Sequence, residues 1–151
     1  MKDKSSEFIK FIDDSRIKCD KLILTAEAIK SSAEMTLAWR SLQMAKAWLG
    51  KAKGFFGKTS PYITVSEIAN IPETAERYKG ELNISGDKLK DINSIRSEIE
   101  SVLLSFKDYE NKMLDKYIDE FNYALNYLEE ARMWYGFELG NMRELHKNSN
   151  K

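Results

Sequence analysis

The amino-acid sequence predicts an all-α protein, made of two tandem long helical hairpins arranged as in a four-helix bundle and assembled through coiled-coil-like seams. Three observations lead to this fold class. Neither Gly nor Pro occurs between Asp3 and Leu49 or between Asp87 and Tyr135. Within both stretches apolar residues recur at alternating steps of four and three, which places them on one narrow helical face. A thirteen-residue pattern also occurs twice, as AWRSLQMAKAWLG at Ala38–Gly50 and ALNYLEEARMWYG at Ala124–Gly136.

The repeated pattern indicates a duplicated helix. Its two copies lie 86 residues apart and share five identical positions, Ala38/Ala124, Leu42/Leu128, Ala45/Ala131, Trp48/Trp134 and Gly50/Gly136. Ala and Leu recur by chance in helices because they favour helix formation, but Trp is rare and a helical Gly costs about 1 kcal/mol. The shared Trp and Gly therefore favour duplication, and the alanines predict a face that another helix approaches closely.

The first hairpin is predicted to span residues 1–57. Its two apolar seams are Phe8, Ile12, Cys19, Leu22, Ala26 and Ile29, interrupted by Ser15, and then Met35, Ala38, Leu42, Ala45, Leu49, Ala52 and Phe56. The phase changes at KSSAE, where Ser31 with Glu34 fits a capping box at a helix start. Gly54, Gly57 and Pro61 then predict the end of the second helix.

Residues 58–87 are predicted to form a connector, because both prolines and two further glycines fall there. A short helix near Val65–Asn70 and a brief extended piece at Tyr62–Val65 are the alternatives within it. The second hairpin is predicted at residues 88–147, with a turn or kink near Lys107–Lys116 and a disordered tail at 148–151. Its seams are Ile92, Ile95, Ile99, Val102, Phe106 and Tyr109, and then Phe121, Ala124, Leu128, Ala131 and Tyr135.

Composition and charge restrict the partners. The 151 residues include 24 basic and 24 acidic side chains, so no global field attracts duplex nucleic acid or an anionic membrane. No apolar run reaches the roughly 18 residues that span a bilayer, and MKDKSSEF lacks a signal-peptide core. We therefore expect a cytoplasmic protein without a membrane partner. Cys19 is the only cysteine, which favours a buried structural thiol over a disulfide or thiolate metal site.

The sequence contains no catalytic pattern. His146 is the only histidine and lies near the polar end of the chain, and the glycines form neither GxGxxG nor a phosphate-loop pattern. Adjacent acids such as Asp13/Asp14 and Glu129/Glu130 do not face one another on a helix. We expect a protein that is not an enzyme and that requires neither a metal nor a cofactor.

The repeated tryptophans and nearby cations are the candidate ligand-binding residues. Each Trp lies one position off the seam, where it either covers the edge of the core or offers a stacking platform for a base. Cations in the same helices can hold phosphate through charge-assisted hydrogen bonds if the helices bring them together. The candidates are Arg40, Lys46, Trp48, Arg132, Trp134 and Arg143.

The glycines of each copy are spaced four apart, at Gly50 and Gly54 and at Gly136 and Gly140. Two interpretations remain open. They end the helix, or they allow another chain to cross closely. The second is favoured for the second copy, because FELGNMRELH continues a helical pattern after Gly136.

Both windows resemble the signature helix of the helical-hairpin domain shared by phage anti-CBASS and anti-Thoeris sponge proteins, whose motif is A-x-x-x-L-[QE]-x-A-x-x-W. The motif is met by Ala124, Leu128, Glu129, Ala131 and Trp134, and by Ala38, Leu42, Gln43, Ala45 and Trp48. The resemblance covers about 20 residues per copy. It departs from the family in carrying two hairpins in one chain, and the connector matches nothing in the family pattern.

The resemblance implies a phage-encoded immune-evasion protein in the host cytoplasm. Members of the family are homo-oligomers that capture cyclic di- or trinucleotides or cyclised ADP-ribose at subunit interfaces without cleaving them. On this basis we expect a cyclic-nucleotide sponge that forms a dimer or trimer. The alternative is a structural or adaptor bundle whose duplicated seam serves oligomerisation or a protein partner. Convergence of Lys46 and Arg132 with aromatic rings in one pocket would favour the first.

Overall fold

The structure is a computed structural model that describes residues 4–54, 77–110 and 118–149. Within these ranges all of the regular secondary structure is helical, so the all-α prediction is confirmed. The helices are α1 (Lys4–Ile29), α2 (Ala33–Gly54), α3 (Lys88–Glu110) and α4 (Ile118–Ser149). The alternatives for 62–70 and most of the predicted turn before α4 lie outside the described residues.

The helices form a four-helix bundle with the order α1, α2, α4, α3 around its axis. The α2–α4 contact is the most extensive, followed by α1–α2, α3–α4 and α1–α3. Among the described residues the backbones of the diagonal pairs stay apart, although the rings of Phe11 in α1 and Phe121 in α4 meet across the bundle at 6.0 Å. Neighbours are antiparallel, since Ser32 and Ser41 of α2 contact Glu138 and Glu130 of α4 in reverse order. The end of α2 and the start of α3 consequently lie at opposite ends of the bundle, as in bundles with one long crossover connection.

The core consists of the predicted seams. Leu42, Ala45, Leu128 and Ala131 are all 0% exposed. Burial of the other described seam positions is likewise confirmed, except at the partly buried Ile29 and Tyr109, and the predicted seam position Phe56 lies outside the described residues. Alanines on the facing sides of α2 and α4 let these two backbones approach, which explains why the motif helices make the largest contact. The seam is thus completed within one chain.

Hairpin α3–α4 repeats hairpin α1–α2. Five buried positions of α1 have a buried counterpart 80 residues later, namely Ile12/Ile92, Ser15/Ile95, Cys19/Ile99, Leu22/Val102 and Ala26/Phe106. The register of α2 on α4 pairs Ser41 with Glu130 and Trp48 with Tyr123, so that the equivalent residues Leu42 and Leu128 lie at the centre of the contact. This register is the one that an approximate local twofold axis between the hairpins would produce, although α1 packs on α2 more extensively than α3 packs on α4.

Ser32, and not Ser31, caps α2. The Met35 backbone N–H donates to Ser32 Oγ at 3.2 Å and the Thr36 N–H donates to the Ser32 carbonyl at 3.1 Å. An N-cap side-chain oxygen accepts the backbone N–H two or three residues later, and Ser32 accepts that of Met35. The predicted capping box of Ser31 with Glu34 is therefore wrong, because the third residue after the cap is Met35, and Ser31 Oγ instead contacts Met35 Sδ at 3.5 Å.

The start of α3 is fixed by two aspartates. Asp87 caps it, since its carboxylate accepts the Lys90 N–H at 3.2 Å. The buried Asp91 carboxylate reaches back and accepts the backbone N–H groups of Ser85 and Gly86 at 2.8 and 3.1 Å. Gly86 has a φ of 85°, a left-handed conformation that favours glycine. At the other end of the hairpin, α4 continues to Ser149, two residues into the segment for which the sequence predicts a disordered tail.

Candidate functional site

The six candidate ligand residues do not converge on one site. Lys46 contacts α1 and Arg132 contacts α3, so the two equivalent cations lie in different hairpins. Arg40 and Arg143 are exposed. The convergence that would favour a single pocket around Lys46 and Arg132 is not found.

Lys46 belongs to an ion pair that links α1 and α2. Its Nζ lies 2.8 Å from Asp20 Oδ1, and the two side chains are only 15% and 14% exposed. The other carboxylate oxygen of Asp20 accepts the backbone N–H of Tyr78 at 2.6 Å. Burial raises the pKa of Asp20, but the hydrogen bonds from Lys46 and from the Tyr78 N–H lower it by more. The pKa of Asp20 therefore lies below its usual value. Lys46 is therefore neutralised by the protein itself.

The tryptophans lie at the edge of the core, partly buried and packed against it. The Trp48 ring is 4.7 Å from that of Tyr123 at an interplanar angle of 56°, and Lys51 Nζ lies 4.7 Å from the indole centroid. Trp134 meets Phe137 edge to face at 5.6 Å. Both indoles thus contribute to packing beside the α2–α4 contact.

Arg132 is the candidate residue that lies in a polar cleft. The cleft has a volume of about 300 Å³, lies between α3 and α4, and is lined by Asn93, Arg96, Ser97, Glu100 and Arg132. Arg132 Nη1 is 3.5 Å from Glu100 Oε1, with the two side chains 40% and 61% exposed. Since this pair is long and solvated, it holds Arg132 weakly compared with the Lys46–Asp20 pair.

Arg96 is the functional candidate that the sequence reasoning missed. Its Nε is buried and has no hydrogen-bond partner among the described residues. The guanidinium lies over Gly136, where a Cβ atom would be 3.7 Å from Arg96 Nη2. Its equivalent Arg16 lies over Gly50 in the same way, at 3.5 Å, and its Nε is also buried without a partner.

These contacts account for the repeated glycines. Gly50 and Gly136 lie inside helices that end at Gly54 and Ser149, so of the four glycines only Gly54 ends a helix. An arginine from the preceding helix covers Gly50 and Gly136 within the chain. The repeated arginines could have been found in the sequence, where Arg16 and Arg96 lie 80 residues apart. The motif helices lie 86 residues apart, so a comparison at that one offset does not align the two arginines.

A second surface lies on the outer side of α4. A groove of about 400 Å³ there is lined by Asn126, Tyr127, Glu129, Glu130 and Met133. Large apolar side chains are exposed nearby, with Met44, Tyr123, Met133 and Phe137 each between 42% and 51% exposed. The glutamates disfavour an anionic ligand in this groove, whereas the apolar side chains suit contact with a protein.

No family model, curated protein or solved structure matches this chain. Among the described helices, none has the length and apolar character that crossing a membrane requires. The geometry of the two hairpins and the motif resemblance are therefore the observations that bear on function.

Proposed function

We propose that this protein is a sponge that binds and sequesters a cyclic-nucleotide immune messenger, a cyclic di- or trinucleotide or a cyclic ADP-ribose isomer, without cleaving it. The observation that carries the proposal is the twofold packing of the two motif helices inside one chain. The motif resembles that of proteins with one hairpin per subunit, which bind messengers where subunits meet. A chain with two hairpins related by an approximate twofold axis is a fused form of such a pair.

The side chains that face the α3–α4 cleft support the part of the proposal that concerns binding without turnover. Arg96 and Arg132 supply fixed positive charge, and Asn93 and Ser97 supply neutral donors. Such groups hold phosphate by charge-assisted hydrogen bonds but do not generate a nucleophile. The protein would then lower the free messenger concentration in proportion to its own amount, in competition with the host effector.

Thermal shift followed by chromatography tests this proposal. The chain is heated with cyclic dinucleotides, cyclic trinucleotides and cyclic ADP-ribose isomers in turn, and each ligand that raises the melting temperature is recovered by denaturing the complex. We expect at least one messenger class to stabilise the fold and to elute unchanged. Recovery of a linear product would contradict sequestration, and no shift with any messenger would favour the second candidate.

The second candidate is a structural or adaptor bundle, and the exposed apolar side chains of α2 and α4 favour it. A homo-oligomer, dimer or trimer, formed through this surface would bury Met133 and Phe137. Light scattering after size exclusion, on the wild type and on Met133→Glu, tests this second candidate. A mass near 17.5 kDa for the wild type at high concentration would contradict self-association, and an oligomer that Met133→Glu dissociates would support it.

A further inference from the structure

We propose that the cleft between α3 and α4 is a binding site for a phosphate or phosphodiester anion, contacted by Arg96 and Arg132, and that the equivalent face of the first hairpin is closed to such a ligand. The site is inferred from the charges and burial of these residues. Only the identity of the ligand as a cyclic nucleotide rests on the proposed function.

The first step of the argument is the unsatisfied donor of Arg96. A guanidinium carries five N–H groups and stays charged in proteins, and a buried donor without an acceptor costs about 1–3 kcal/mol, more when it is charged. The Nε of Arg96 is such a donor among the described residues. An anion that enters the cleft lined by Arg96 brings a negative charge to a guanidinium for which the described residues supply no ion pair, since the Glu100 carboxylate of the cleft pairs with Arg132.

The second step concerns Arg132, whose only described ion pair is with Glu100. The 3.5 Å separation and the exposure of both side chains mean that solvent screens this pair and that it contributes about 0–1 kcal/mol. A phosphate oxygen accepts from guanidinium with better geometry, because the planar fork of arginine fits phosphate in a bidentate manner. The ligand can therefore displace Glu100 at little cost.

The third step is the size and polarity of the cleft. Asn93 and Ser97 lie beside the two arginines and add neutral hydrogen-bond donors, which satisfy phosphate oxygens without adding charge. A volume of about 300 Å³ is at the small end of ligand pockets. It accommodates a phosphate with its ester group and leaves an attached nucleoside on the surface.

The fourth step is the contrast with the first hairpin. The positions equivalent to Asn93, Ser97 and Glu100 are Asp13, Ile17 and Asp20. Asp13 is held by Lys53 at 2.6 Å and Asp20 by Lys46 at 2.8 Å. The two carboxylates disfavour an anion, and the apolar side chain of Ile17 offers it no hydrogen bond. The Tyr78 backbone also covers Asp20. The duplication thus supplies matched control positions for each residue of the proposed site.

Calorimetric titration of four single variants tests the site. Inorganic pyrophosphate and cyclic di-AMP serve as probes, with Arg96→Gln and Arg132→Gln as site variants and Arg16→Gln and Lys46→Gln as their matched controls. We expect each site variant to weaken binding by about tenfold or more, the scale of a lost charged hydrogen bond. The controls should change the affinity by less than about twofold because they are distant from the cleft. Circular dichroism confirms that each variant is folded, and a destabilised Arg96→Gln is replaced by Arg96→Lys, which keeps the charge but loses the planar fork.

The outcomes separate the site from the proposed function. Pyrophosphate binding that depends on Arg96 and Arg132, without binding of any cyclic nucleotide, would support the site and contradict the sponge. Cyclic di-AMP binding that all four variants retain would overturn the site while the sponge stands. Equal losses in site and control variants would show general electrostatic attraction and overturn the site, and so would the failure of both probes to bind the wild type.

Discussion

At the scale of single residues, Gly50 and Gly136 show how a repeated residue can mislead. A glycine spaced four residues from another on one helix face is typical of close helix approach, and the sequence alone leaves that interpretation open. The structure places the guanidinium groups of Arg16 and Arg96 over them instead. A long flexible side chain tolerates a methyl group that a packed backbone would not.

Substitution of Gly50 by Ala should accordingly stabilise the protein. The new Cβ would lie 3.5 Å from Arg16 Nη2, an ordinary contact, while Ala gains about 0.5–1 kcal/mol over Gly within a helix. Urea unfolding measures the free-energy change, with Gly136→Ala as a parallel variant expected to behave alike. A loss of stability in either variant would show that another backbone packs there, as in an oligomer.

At the scale of elements, the N-terminus of α2 is tied to α4 through Ser32. Its oxygen accepts the Met35 N–H, and its hydroxyl donates to Glu138 Oε2 at 2.7 Å. Glu138 is 4% exposed and also pairs with Lys88 of α3 at 2.7 Å. One serine thus caps a helix and satisfies a buried carboxylate that joins three helices.

Ser32→Ala should therefore cost about 1–3 kcal/mol of unfolding free energy, which combines a lost cap with a weakened buried hydrogen bond. Ser31→Ala is the matched control. Ser31 is exposed, its hydroxyl bonds only to Met35 Sδ among the described residues, and its loss should cost less than about 0.5 kcal/mol. Chemical denaturation of both variants decides the comparison. Equal losses would contradict the assignment of Ser32 as the cap.

The hydrogen bonds of Asp91 at the start of α3 predict that the stability of the fold depends on pH. The backbone N–H of Ser85, its hydroxyl and the Gly86 N–H lower the pKa of Asp91 although burial raises it. A carboxyl with a lowered folded-state pKa stabilises the fold above its unfolded pKa of about 3.9, and this contribution is lost as pH falls through the folded value. Asp20 and Glu138 have lowered pKa values as well.

Stability should thus be steady between neutral pH and about pH 5 and should fall below about pH 4. Thermal melts across this range provide the measurement. The Asp91→Asn variant should be less stable than the wild type at neutral pH, and its melting temperature should fall by less than that of the wild type on acidification. An identical acid dependence of the two proteins would contradict the role of Asp91.

At the scale of the whole molecule, the hydrophobic periodicity was sufficient to predict four helices and nearly all of the core, because one buried stripe per helix determines which side faces inward. It could not predict that α2 and α4 make the largest contact, since the seams would suit either neighbour equally well. The site was harder to predict. Lys46 and Arg132 are equivalent in the repeat, yet Asp20 neutralises one and the solvated Glu100 leaves the other accessible. That difference depends on partners from other helices, which no local pattern contains.

The central claim is that one chain binds one messenger and releases it intact. Equilibrium dialysis of the protein against a labelled cyclic nucleotide, with chromatography of the bound fraction, tests it most directly. Because the described part of the chain offers an accessible arginine cleft in the second hairpin while carboxylates occupy the equivalent face of the first, we expect a saturating ratio of about one ligand per chain and recovery of unchanged messenger. A saturating ratio of two, a hydrolysed ligand, or no retention of any cyclic nucleotide would contradict the account.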